Sequence, residues 1–134
     1  VVLVARTREA LERAGRELRA AGARADWHAA DLGVRTEAEA CARAVAMPFG
    51  APDILVNAAG LNLRPPLDAL THAQWDATLA VNLDAAFVLA QRLAPAMIAR
   101  GWGRIINVTS QQAHRAYGNS GAYGVSKAGL TQLT

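Results

Sequence analysis

Tyr123 and Lys127 stand four residues apart in the segment Ser120-Gly121-Ala122-Tyr123-Gly124-Val125-Ser126-Lys127, and Ser110 lies 13 residues before Tyr123. Residues i and i+4 share one face of a helix. A lysine ammonium one turn from a phenol favours the charged form of that phenol, because a nearby opposite charge stabilises it. A tyrosine so placed exchanges a proton near neutral pH, where a free phenol with a pKa of about 10 holds it. A serine hydroxyl beside it can hold a carbonyl or alcohol oxygen. The three residues together make a proton-transfer site. A Tyr-x-x-x-Lys pair also arises by chance on solvated helices. Here the serine ends an apolar, strand-like run, and that favours the chemical reading.

Such a trio needs a strand to deliver the serine and a helix to carry the tyrosine and lysine. The chain alternates these two elements throughout. Val1 to Ala5 reads as a strand. Thr7 can cap a helix over about Arg8 to Ala21, closed by Gly22. Arg24 to His28 is a weaker strand. Thr36 with Glu39 forms a Thr-x-x-Glu capping box that opens a helix to about Met47. Pro48, Gly50 and Pro52 break the chain before a buried strand at Ile54 to Asn57. A loop follows from Leu61 to Leu70. Thr71 with Gln74 makes a second capping box, and helical sequence runs on in two pieces to Arg100. Arg104 to Val108 is a strand, Gln111 to Asn119 a loop, and Ser120 onward a helix. This alternation predicts an α/β fold: a doubly wound parallel sheet with helices on both faces.

Ligands bind such sheets beyond the carboxyl ends of the strands. Ala5-Arg6, Asp31-Leu32, Asn57-Ala58-Ala59-Gly60 and Ser110 all follow candidate strands, so all are expected on one rim. Each also has an ordinary reading. The small residues of Asn57 to Gly60 let a ligand approach the backbone, or simply end a strand. Asp31 is a ligand carboxylate or a turn aspartate. Asn82 is a tolerated polar residue in an apolar helix or a buried amide that needs partners. Arg6 is an anion contact or a solvated arginine. Gln111, Gln112 and His114 face a polar substrate or belong to the loop alone.

Bulk properties narrow the function. A hydrophobic share of 52% with 19% charged residues fits one globular domain and not a disordered segment. The net charge of +3 is mild, and Arg6, Arg8, Arg13, Arg16 and Arg19 are interleaved with Glu9, Glu12 and Glu17. That pattern reads as a solvated helix face and not as a nucleic-acid stripe. His28, His72 and His114 have no ligand spacing, which argues against a metal site. Cys41 is the lone cysteine, so no internal disulfide forms and a reducing, cytoplasmic setting is expected. No apolar run approaches the roughly 18 residues of a membrane span.

Asn57-Ala58-Ala59-Gly60, Asn82, Ser110 and Tyr123-x-x-x-Lys127 occur in this order across nearly the whole chain, and in this they resemble the short-chain dehydrogenase/reductase family. The family's Asn-Asn-Ala-Gly motif has alanine at its second position here. The resemblance implies a Rossmann-like nucleotide-binding domain and hydride transfer between a nicotinamide cofactor and a carbonyl or alcohol. It implies Asn82, Ser110, Tyr123 and Lys127 as the catalytic set. Ser110 would hold the substrate oxygen, Tyr123 would exchange the proton, and Asn82 would hold a water linking Lys127 to solvent. The cofactor would be bound by Arg6, Asp31, Leu32, Asn57, Ala58, Ala59, Gly60, Tyr123 and Lys127. Asp31 would accept from the adenine amino group, with Leu32 near the ring.

Ala5 occupies the position where NAD-preferring members carry a carboxylate. A neutral Ala5 beside Arg6 therefore favours NADP, with NAD the alternative. The substrate expected is a sugar acid, polyol or 3-oxoacyl group. A non-catalytic nucleotide-binding or scaffold protein of the same fold is the competing reading. The family also implies a homo-oligomer, a tetramer or dimer. Its contact helices would carry Val81, Leu83, Phe87, Val88, Leu89 and Leu93, with Val125, Leu130 and Leu133. Finally, the chain opens on Val1 without methionine and stops within helical sequence. It is thus expected to be part of a single domain, lacking the first strand, its glycine-rich turn and the last substrate-binding part.

Overall fold

A computed structural model describes residues 1–134. The chain forms β1 (Val2–Ala5), α1 (Arg8–Ala20), β2 (Asp26–Ala29), α2 (Arg35–Ala44), β3 (Ile54–Asn57), α3 (His72–Leu79), α4 (Ala85–Ala99), β4 (Arg104–Asn107) and α5 (Gly121–Gln132). A π-helical turn, Ala80–Asp84, joins α3 to α4, and short 3₁₀ turns occupy Leu67–Ala69 and Gln111–Ala113. All the predicted strands and helices are present, with ends shifted by a few residues.

The strands pair in parallel, β1 with β2 and β3 with β4. The parallel strands and covering helices are those of the predicted α/β fold, with hydrogen bonds joining the strands in two pairs. The free edges of β1 and β3 line one apolar cavity of about 690 Å³, and with no strand between them their hydrogen bonds cannot join. The core lies on the α2–α4 side. Ala30, Cys41, Ala42, Val45, Leu89 and Leu93 pack there, flanked by Val2, Val4 and Leu55. Burial pushes the Cys41 thiol up to about 11. On the opposite pleat face of the second sheet, Ile54, Val56, Ile106 and Val108 remain about half exposed.

The two predicted capping boxes fare differently. At α3, Thr71 Oγ1 accepts from Gln74 N and Gln74 Oε1 accepts from Thr71 N. At α2 the box does not form: the helix starts at Arg35 behind Val34, which places Thr36 inside the first turn. Asp31 dictates this start. Its Oδ1 accepts from Gly33 N, its carbonyl accepts from Val34 N, and its own N–H donates to Glu37 Oε2. Glu39 pairs instead with Arg92 at 3.0 Å. Gly22, at φ 85°, turns the chain out of α1 in a conformation that costs glycine little.

The predicted oligomer face also needs correction. Val88, Leu89, Leu93 and Leu130 are buried within the chain, because α4 and α5 use them against their own neighbours. Phe87 and Ile98 on α4, Val125 on α5 and Leu133 at the end of α5 are the large apolar residues left exposed there.

Candidate active site

Asn57 and Asn107 are partners on the last rung of β3 and β4. Asn57 Nδ2 donates to Asn107 Oδ1 at 2.8 Å, so the amide pair ties together the carboxyl ends of both strands. Ala58, Ala59 and Gly60 continue from β3 with their surfaces exposed. Val108 continues from β4, and its carbonyl accepts from Lys127 Nζ at 2.7 Å. Lys127 reaches it from α5 and is only 4% exposed. Burial disfavours its charge and lowers its pKa below the 10.5 of a free lysine.

Tyr123 is one turn before Lys127, as the spacing predicts, and Lys127 Nζ lies 5.9 Å from the centre of its ring. No buried polar side-chain atom lacks a partner. The Tyr123 hydroxyl has no partner within the chain, so it is open to solvent or ligand. Ser110 leads into the 3₁₀ turn Gln111–Ala113, and its Oγ accepts from Gln112 N at 3.2 Å. The hydroxyl proton of Ser110 is left for another partner. That turn packs on α5. The contact is close at Gly124, where a Cβ would fall 2.5 Å from Ser120 Oγ and 3.4 Å from the Gln112 carbonyl oxygen. Close packing at this glycine sets the Ser110 turn beside the Tyr123 turn of the helix.

Asn82 sits in the π turn and is 1% exposed. Its Oδ1 accepts from Leu61 N at 2.7 Å and its Nδ2 donates to Leu61 O at 2.9 Å. A Cβ on Gly60 would lie 3.5 Å from Asn82 Oδ1 and 3.8 Å from Lys127 Nζ. Gly60, Asn82 and Lys127 therefore meet, although they are far apart in sequence. Of the expected cofactor residues, Arg6 is exposed and makes no ion pair or hydrogen bond within the chain. Asp31 Oδ1 accepts from Gly33 N within its own turn. Leu32 packs partly against the core. Leu32, Asn57, Ala58, Ala59, Val81 and Asn82 all border the cavity between β1 and β3, which puts the ends of β2 and β3 on a common rim.

Gln111 and Gln112 are partly committed to the loop. Tyr117 Oη donates to Gln111 Oε1 at 3.3 Å, and Ser120 Oγ donates to Gln112 Oε1 at 2.7 Å. His114 is exposed. Asn107 and Ser126 were not singled out from sequence. Asn107 had a legible signal, since it ends a strand in parallel with Asn57. Ser126 had none, because its role depends on contact with Asn82 across the fold.

Several groups on this rim could hold a nicotinamide dinucleotide. The rim offers an unpaired cation at Arg6, exposed small residues at Ala58 to Gly60, and two donors of the Lys127 ammonium with no partner in the chain. No group of three His, Cys, Asp or Glu side chains is placed to hold a metal ion.

The sequence matches the short chain dehydrogenase family model over residues 1–134. It is 40% identical over 106 residues to a D-threitol dehydrogenase of Mycolicibacterium smegmatis, covering 79% of this chain and 41% of that protein. A metagenomic short-chain oxidoreductase solved in complex with NADP superposes with a TM-score of 0.93 at 42% identity, over 99% of this chain and 61% of that one. A gluconate 5-dehydrogenase from Burkholderia cenocepacia, solved with NADP and tartrate, gives 0.90 at 38% identity, over 99% and 52%. The chain thus spans about half the length of such relatives. The family model covers the whole of this chain, and the chain belongs to the short-chain dehydrogenases.

Proposed function

We propose that the protein containing this chain transfers hydride between NADP(H) and a carbonyl/alcohol pair, with Tyr123 as general acid and base. The observation that carries this reading is Lys127, a buried cation fixed on the Val108 carbonyl one turn from a tyrosine whose hydroxyl is free. A cation held there stabilises negative charge on the tyrosine oxygen as its proton leaves. Ser110, with its hydroxyl proton uncommitted, donates to the substrate oxygen and steadies it beside Tyr123. Asn82 holds the β3 turn against Lys127 and completes the path by which a proton is replaced. The bound nicotinamide supplies the hydride donor or acceptor, and the protein supplies orientation and the proton.

Arg6 and neutral Ala5 favour the 2′-phosphate of NADP over the free hydroxyl of NAD. Complexes of two related structures with NADP support this choice. A sugar acid or polyol fits best as substrate, by likeness to the threitol and gluconate enzymes and by the polar Gln111–Gln112 pair. The cavity between β1 and β3 is read as the place of a further parallel strand. That would make this chain part of a single Rossmann-type domain. Absorbance at the NADPH band, followed with a panel of polyols, sugar acids and 3-oxoacyl compounds, tests the function in the complete protein. Turnover with a higher kcat/KM for NADPH than for NADH is expected. Cofactor binding without turnover on any of them would favour a non-catalytic nucleotide-binding protein.

A further inference from the structure

We propose that Ser126 is a positioning residue: its hydroxyl decides which way the Asn82 amide points, and through that amide it holds the Leu61 backbone at the site. The inference rests on the hydride-transfer reading only for its effect on turnover. Ser126 is 0% exposed and Asn82 1%, so neither side chain can turn to water for a partner. Ser126 Oγ donates its single proton to the Tyr123 carbonyl at 2.7 Å. Having spent that proton, the oxygen can only accept. It accepts from Asn82 Nδ2 at 2.9 Å.

The amide nitrogen must therefore face α5, and the amide oxygen must face the other way, where it takes Leu61 N at 2.7 Å. The second Nδ2 hydrogen goes to Leu61 O at 2.9 Å. A flipped amide would set oxygen against the Ser126 lone pair and NH₂ against the Leu61 N–H. Both contacts would be repulsive, and the buried groups would be left without partners. One hydroxyl on the helix of Tyr123 and Lys127 thus acts with the Leu61 N–H and C=O to hold the amide orientation that clamps the residue after Gly60. Gly60 in turn lies between Asn82 and Lys127.

Hydrogen exchange at the Leu61 amide reads the clamp without reference to activity. In the complete protein, Ser126→Ala should speed exchange at Leu61 about tenfold or more, since a buried bond network is left short of an acceptor. Amides of α4 distant from the site should keep their rates. Ser126→Thr, which keeps the hydroxyl, should restore protection. Ser126→Cys fills the space with a weaker acceptor and should behave as Ala does. Unchanged Leu61 exchange in both Ala and Cys variants overturns the proposal, as does equal acceleration across the whole chain. In turnover, Ser126→Ala should lower kcat more than it raises the KM for NADPH. The Asn82→Ala/Ser126→Ala double variant should then be no slower than Asn82→Ala alone. Strictly multiplying effects would overturn the link through Asn82. A wild-type protein that reduces no carbonyl would defeat the hydride-transfer reading and leave the exchange result to judge the clamp.

Discussion

Lys127 is held out of water by a single carbonyl partner, and two of its ammonium donors are unused within the chain. Its pKa lies below 10.5 because of burial. Between that lowered value and 10.5 the unfolded chain keeps a proton that the folded chain has released. Folding is therefore favoured by raising pH through this window, and the penalty is constant below it. Wild-type stability relative to Lys127→Met, measured by denaturant titration from pH 7 upward, should rise as pH approaches 10.5. A flat difference would show that the ammonium is better solvated than its burial implies. Tyr123 gives the sharper chemical test. Tyr123→Phe removes only the free hydroxyl and should cut turnover of the complete protein at least ~10²-fold, while NADPH binding persists. Near-normal turnover would take Tyr123 out of the mechanism.

At the scale of elements, the two capping boxes show what local sequence can and cannot specify. Thr71 and Gln74 satisfy each other across one helical turn. Thr71→Ala should cost about 1 kcal/mol, seen as a lower denaturation midpoint at constant slope. An unmoved midpoint would mean that α3 is held by packing alone. Thr36 and Glu39 offered the same pattern and lost to Asp31, whose turn set the helix start two residues earlier. The π turn at Asn82 follows the same logic. The polar residue in an apolar helix was visible in the sequence. Within the π turn its side chain is paired with Leu61 and Ser126, both distant along the chain.

For the whole molecule, the two open strand edges and the uncovered face of Ile54, Val56, Ile106 and Val108 are exposed apolar structure. Open, flat edges pair with other chains. Residues 1–134 expressed alone should therefore associate or melt without a cooperative transition. Light scattering and a thermal melt would show this, and a monomer with a sharp melt would count against it. Phe87, Ile98, Val125 and Leu133 are exposed in this chain, and we propose that they meet a second copy in the complete protein. A homo-oligomer, whether dimer or tetramer, is expected by light scattering, with activity lost on dilution as it dissociates. A fully active monomer would refute that role for the two helices. No helix is long and apolar enough to cross a membrane.

The alternation of strands and helices, the Tyr123–Lys127 face and the order of the motifs were legible along the chain. Hydrophobic period, turn residues and helical spacing act over a few residues and are written into neighbours along the chain. Tertiary structure alone decided that Lys127 leans on Val108, that Asn57 meets Asn107, and that Ser126 faces Asn82. It also decided that Val88, Leu89, Leu93 and Leu130 are core and not contact surface. Each of these depends on which distant group fills a partner's last bond or buries its last apolar surface. That choice exists only once the elements have packed, because a buried polar group must find its partner wherever the fold places one.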